Sequence, residues 1–201
     1  MLILNPQFDP LTHEYKDSDG NTVASVTQIM ESVGMTNEFQ KDKYAAEWGT
    51  IAHEYTEKIV DDKNMRVDPA FAPWHVQIRR FCVDKIPRRK GVGETRFLFD
   101  SPAGRYAGCI DFEGRLWHES AAQEWVVDWK FWLAKSKSVL RLAGIQTAAY
   151  ELATRGKARE RKRAVVWFKR DDYEFITLTD KTDYVAWASA INVYTWRKNN
   201  L

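Results

Sequence analysis

The sequence predicts one mixed α/β domain, and three observations carry that expectation. Hydrophobic periodicity is helical in the first part of the chain, alternates from about residue 92, and then switches between the two. No internal repeat and no Pro/Gly/Ser-rich linker divides the 201 residues, a length suited to one domain. The connections between periodic segments are short enough for a single core.

The elements follow in order. Asp17, Asp19, Gly20 and Asn21 read as a turn between extended pieces around His13-Glu14-Tyr15 and Thr22-Val23-Ala24. Ser25-Val26-Thr27-Gln28 fits the S-x-x-Q capping box, which predicts a short helix stopping near Gly34. Residues 38–61 read as a longer helix with an apolar stripe at Ile51, Tyr55 and Ile59; Gly49, His53 and Glu57 share another face. Trp74, Ile78, Phe81 and Cys82 mark a further amphipathic helix ended by Pro87. Val92 to Phe99 and Tyr106 to Phe112 read as strands joined by Ser101-Pro102-Ala103-Gly104, and Glu124 to Phe131 as a third. Leu140 to Ala153 suits a helix, Ala164 to Lys169 and Tyr173 to Leu178 strands, and Tyr184, Trp187, Ala188, Ile191 and Tyr194 a closing helix.

Composition narrows the function classes. Hydrophobic residues at 44% and charged residues at 29% suit a folded globule rather than a disordered chain. The formal net charge of +2 conceals an asymmetry: residues 1–62 hold 12 acids and 4 bases, leaving +10 for the remainder. No apolar run approaches the roughly 18 residues that span a bilayer, and the opening MLILNPQFDP has no secretory pattern. Cys82 and Cys109 alone cannot build a disulfide framework, a four-cysteine metal site or an iron–sulfur cluster. The expectation is a cytoplasmic protein with no membrane partner.

The sharpest local feature is Asp128-Trp129-Lys130. On a strand, residues i and i+2 share a face, so Asp128 and Lys130 project together and Trp129 points away. A short D-x-K match arises by chance on many surfaces. Here an apolar approach, Trp125-Val126-Val127, predicts a half-buried strand in which leaving a charge pair costs stability. Asp111, on the strand immediately upstream, can join Asp128 around one hard cation that requires oxygen ligands. His53 and Glu57, one helical turn apart, can approach from another side, with Gly49 letting their helix lie close to the sheet.

In sequence order the set reads Gly49-x-x-x-His53, Glu94, Gly108-x-x-Asp111, Asp128-x-Lys130, Gln146-x-x-x-Tyr150. It resembles the RecB-like branch of the PD-(D/E)XK nuclease superfamily over half of the chain. His13-x-Tyr15 and Ser25-Val26-Thr27 are similar to the opening of small phage-encoded members, and a mitochondrial single-strand exonuclease branch has a similar D-W-K tripeptide. The resemblance implies a restriction-endonuclease-like αβββαβ core with a central mixed sheet flanked by helices. Residues 1–91 would form an N-terminal helical part carrying His53, 92–180 the nuclease core, and 181–201 a C-terminal helix.

It also implies roles. His53, Asp111, Asp128 and the Trp129 carbonyl would hold Mg²⁺ or Mn²⁺, the imidazole tilting preference toward Mn²⁺. Lys130, an ammonium with donors only, would orient or help deprotonate the attacking water and stabilise charge at the scissile phosphate. Gln146 and Tyr150 would hold that lysine and touch the substrate backbone, and Glu94 would stand nearby or serve a second metal. The implied activity is metal-dependent DNA hydrolysis leaving 5′-phosphate and 3′-hydroxyl ends, as an exonuclease on single strands or DNA ends. A structure-specific endonuclease with the same centre and a non-catalytic nucleic-acid binder are the alternatives.

Basic runs suit a DNA partner. Lys85, Arg88, Arg89 and Lys90 carry +4, residues 155–163 carry +5, and Lys135, Lys137 and Arg141 follow the D-x-K strand. Together they predict a phosphate track with salt-sensitive affinity. Trp132, on the face of Asp128 and Lys130 if the strand continues, is placed to stack an unpaired base, whereas Phe131 should be core.

Overall fold

The computed structural model describes residues 1–10, 12–36, 43–61, 67–87, 91–131, 136–154 and 161–201, with main chain only at 43–47 and 91–92. Four short strands open the chain: β1 (Leu2–Leu4), β2 (Gln7–Asp9), β3 (Glu14–Lys16) and β4 (Thr22–Val23). Helices α1 (Val26–Ser32), α2 (Lys43–Val60) and α3 (Ala72–Lys85) follow. The long strands β5 (Gly91–Ser101), β6 (Gly104–His118) and β7 (Ala121–Phe131) lead to α4 (Lys137–Thr154). Strands β8 (Lys162–Phe168) and β9 (Tyr173–Leu178) and helix α5 (Thr182–Asn200) complete it.

The central sheet runs β1-β5-β6-β7-β8-β9, with β7 and β8 parallel and every other pair antiparallel. A parallel pair needs a crossover, and α4 supplies it. Strands β2, β3 and β4 form a separate three-stranded sheet. One face of the central sheet buries Trp74, Ile78 and Phe81 of α3 and Ala52 and Ile59 of α2 against Phe112, Val127 and Trp129. The other buries Ile29 of α1, Ala149 and Tyr150 of α4, and Trp187 and Ile191 of α5 against Phe97, Tyr106 and Ile110. The fold is therefore α/β, a mixed sheet flanked by helices.

Local signals place several elements well. Ser25 accepts the Gln28 N–H and its own N–H bonds Gln28 Oε1, so the capping box forms and starts α1. Gly34, in the left-handed region, follows that helix.

Other expectations are corrected. Ile51 is exposed, and the buried line on α2 is Ala52, Thr56 and Ile59. Thr56 is tolerated there because its hydroxyl donates to the Ala52 carbonyl. Among the described residues nothing stands within 4 Å of a Cβ placed at Gly49, so no close approach of α2 to them depends on it. The close passage is at Gly93, where a Cβ would meet the Glu57 Cα at 3.4 Å, an ordinary contact distance. On α5 the inward alanine is Ala190, and Ala188 is exposed. The stretch before residue 91 carries four strands as well as helices, and β1 joins the central sheet through Leu2↔Phe99 to Leu4↔Phe97. Three-residue strands are too short to show a period.

Strand β6 runs on to His118, well past the expected end at Phe112, and pairs with β7 from Ala121. The polar residues that obscured this are satisfied by distant partners: Glu113 Oε2 accepts Arg161 Nη1 at 2.7 Å, and the same Arg161 nitrogen donates to Thr154.

Candidate functional site

Side-chain alternation breaks in the middle of the sheet, and the break builds the site. Ile110 packs on the α4 face and Phe112 on the α3 face, although residues two apart should share a face. The neighbouring strand breaks at the same level: Phe97 meets Tyr150 of α4, whereas Gly93 meets Glu57 of α2. Between them lie Asp111 on β6 and Glu94 on β5, the latter at φ 36°. A left-handed glutamate is strained, so the surrounding sheet must hold it there.

The β6–β7 register ends at Phe112↔Val127, and its next step would pair Asp111 with Asp128. There the ladder gives way to a side-chain bond. Asp111 Oδ2 accepts the Trp129 backbone N–H at 2.7 Å, while its other oxygen lies 3.1 Å from His53 Nδ1 of α2. The Phe131 ring meets the His53 ring edge-on at 5.7 Å and supports it. Phe131 is core, as expected, and so is the Trp129 indole, among Phe81, Phe112 and Phe168.

Asp128 and Lys130 share a face of β7, as the strand period predicts, with Nζ 2.7 Å from Asp128 Oδ2. Asp128 is 2% exposed, and among the described residues no hydrogen bond of good geometry reaches its Oδ2. Burial raises the Asp128 pKa against the pull of Lys130. Burial would lower the Lys130 pKa, but the charges of Asp128 and Asp111 outweigh it and raise the value. Burial likewise opposes His53 protonation, and Asp111 reverses that, raising its pKa. His53, Asp111, Asp128 and Lys130 thus lie in one electrostatic neighbourhood.

Glu94 is held by Arg96 Nη2 at 2.9 Å; its pKa is raised by burial and, with Arg96 opposing, by the charges of Glu57 and Asp111. Gln146 Nε2 donates to the Tyr150 hydroxyl at 2.7 Å. Tyr150 is buried, which raises its pKa, and packs on Phe97. A Cβ at Gly108 would stand 2.9 Å from both the Phe97 and the Tyr150 rings. The glycine before Asp111 therefore makes room for the tyrosine of α4, which ties two of the spaced motifs together physically.

The donor set suits a hard divalent cation in kind, with two carboxylates, one imidazole and a buried carboxylate oxygen short of donors. Among the described residues no three His, Cys, Asp or Glu side chains stand as a preformed cage. They stand as two ion pairs, and a cation would replace the direct His53–Asp111 contact.

The basic residues divide. Lys137 and Arg141 are exposed on the first turns of α4, and Lys85 lies over the Phe175 ring at 5.4 Å. Arg88, Arg89, Lys90, Trp132 and Lys135 lie outside the described residues, as do positions 155–160. Arg161 and Arg163, expected in a phosphate track, turn inward. Arg163 is buried and donates to the Gly144 carbonyl, Asp183 Oδ2 and the Asp180 carbonyl. A run of like charges in sequence does not reveal which members have buried acceptors waiting.

Comparison with known proteins finds no protein family whose model matches the chain and no curated protein that matches it. Among the described residues no helix is long and apolar enough to cross a membrane.

Proposed function

We propose that the chain is a divalent-metal-dependent DNA nuclease of the RecB-like PD-(D/E)XK kind, acting as an exonuclease on single strands or DNA ends. The observation that carries this is the convergence of His53, Asp111, Asp128 and Lys130, brought from one helix and two strands to the point where the β6–β7 ladder stops. A protein without such chemistry has little reason to keep the Asp128 carboxylate 2% exposed beside the Lys130 ammonium.

His53, Asp111, Asp128 and the Trp129 carbonyl are the groups that would hold Mg²⁺ or Mn²⁺. When bound, such a cation supplies positive charge for in-line displacement at phosphorus. Lys130 reaches partial exposure at 20% and presents its N–H donors toward a scissile phosphate and its attacking water. Asp128 fixes that amine on its face of β7. Asp111 anchors the β7 main chain through the Trp129 N–H, so carboxylate and amine keep their spacing. Gln146 and Tyr150 act from behind, the half-buried Gln146 bonded to the buried Tyr150 hydroxyl on one face of α4.

The test is digestion of 5′- and 3′-labelled single strands, duplexes and circles with Mn²⁺, Mg²⁺ or chelator. Metal-dependent laddering from ends supports the proposal, and cleavage of circles points instead to an endonuclease with the same centre. The pairing of His53 with Asp111 and of Lys130 with Asp128, with no preformed cage among the described residues, favours one rival, a non-catalytic nucleic-acid binder; strand binding with no cutting in either metal would establish it.

A further inference from the structure

Beside the centre, on the side away from α4, lies a groove of about 400 Å³ lined by Asn5, Pro6, Phe8, Pro10 and Arg96. It is built rather than incidental. The Asn5 N–H bonds the Arg96 carbonyl at 2.9 Å, which ties the segment between β1 and β2 to β5. Phe8 sits on β2 opposite Tyr15 of β3, ring centroids 4.8 Å apart, and His13 closes on its edge at 5.9 Å. The Arg96 guanidinium lies 4.9 Å from the Phe8 ring centroid and is tethered at its other side to Glu94. Asn5 and His13 both hold left-handed backbone, at φ 51° and 54°. The guanidinium has five donors in a fixed fork, and the Glu94 bond uses one of them. It remains 39% exposed.

The groove is linked to the centre through Arg96 and Glu94. Tyr15, beneath Phe8, feels the charges of Arg96, Glu94 and Asp111 together, and Glu94 is both the partner of Arg96 and the residue at the strand bend beside Asp111. The first 62 residues are acidic overall, and beside them Arg96 offers a partly exposed cation at the groove.

We infer that this groove is a subsite for one unpaired nucleotide of the substrate strand, the Arg96 guanidinium meeting its phosphate and Phe8 with Pro6 and Pro10 meeting its sugar and base. The inference rests on the proposed nuclease reading and deepens it. Aromatic and guanidinium surfaces accept a single base irrespective of sequence. A groove of this size admits one nucleotide and not a base pair, so the subsite selects for single strands and for frayed ends.

The test is fluorescence anisotropy with labelled oligothymidylate in chelator, where no cutting occurs, on the full chain. Arg96→Gln should weaken binding about ten-fold and lower the dependence of log affinity on log salt by about one. A strand with one abasic nucleotide, moved position by position, should show one place where the wild type loses about five-fold or more. Phe8→Leu, which keeps an apolar residue against Tyr15, should abolish that position-specific penalty. A variant that merely misfolds would lose affinity at every position, and thermal melting identifies it. Unchanged affinity and salt dependence in Arg96→Gln, with an abasic profile in Phe8→Leu like the wild type, would overturn the subsite while wild-type cutting left the nuclease reading standing. If the wild type neither binds nor cuts strands, the nuclease reading falls first and the subsite with it.

Discussion

Replacing Lys130 by methionine tests the buried pair at the heart of the proposed centre. The substitution keeps the aliphatic stem and removes the ammonium 2.7 Å from Asp128 Oδ2. Asp128 is 2% exposed and, among the described residues, no hydrogen bond of good geometry reaches its Oδ2, so its carboxylate loses its nearest compensating charge. Removing one partner of a buried pair costs about 3–5 kcal/mol. Lys130 itself is 20% exposed, so water follows the vacated space and the lower end applies. Lys130→Met should therefore lose about 3 kcal/mol of stability. Asp128→Asn in the same background keeps the shape and drops the charge, and should recover about 2 kcal/mol of that loss. Urea titration followed by tryptophan fluorescence in chelator reads both values. The reasoning is refuted if Lys130→Met stays within about 0.5 kcal/mol of wild type, or if the double variant is no more stable than the single one. Both variants should lack nuclease activity, which separates the catalytic consequence from the structural one.

The other expectations are simpler to measure. Gly108→Ala pushes a methyl to 2.9 Å from the Phe97 and Tyr150 rings, and overpacking of this kind costs about 1–3 kcal/mol, readable as a lowered Tm. Asp183→Ala strands the buried Arg163 guanidinium on two carbonyls and should cost about 3 kcal/mol by urea titration. Ser25→Ala removes the α1 cap and should cost about 1 kcal/mol in the same measurement. Asp17 has its pKa lowered first by the Asn21 N–H and also by Arg105. Its folded value lies below its unfolded one, so its contribution is present above the ordinary value of 3.8 and is lost as pH falls through the folded value. Asp17→Asn should flatten the acid limb of a stability–pH curve below that point, and an unchanged limb would remove Asp17 from the account.

Much of the candidate site was legible because it depends on short spacings. The shared face of Asp128 and Lys130 follows from the two-residue strand period, and Gln146 reaches Tyr150 because helical residues four apart adjoin. The role of Gly108 was legible only as a motif letter; the structure shows that it clears space for Tyr150. Arg96, Phe8 and Asn5 went unread, because a lone arginine on a strand and a three-residue strand carry no periodic signal. Arg161 and Arg163 were misread as solvent-facing because Glu113 and Asp183, which bind them, are 48 and 20 residues away.

By itself, the sequence determined the elements whose hydrogen bonds and periods close within a few residues: the capped start of α1, the β7 face, the α4 pair. Those depend on neighbours along the chain, and no distant segment is needed to specify them. Tertiary structure alone decided that alternation breaks together at Glu94 and Asp111, that α2 passes β5 at Gly93 and Glu57, and that His53, expected with Asp111 around a cation, pairs with it directly. Each requires knowing what packs on each side of a strand, and burial and charge compensation are settled by contacts between remote segments rather than by local order.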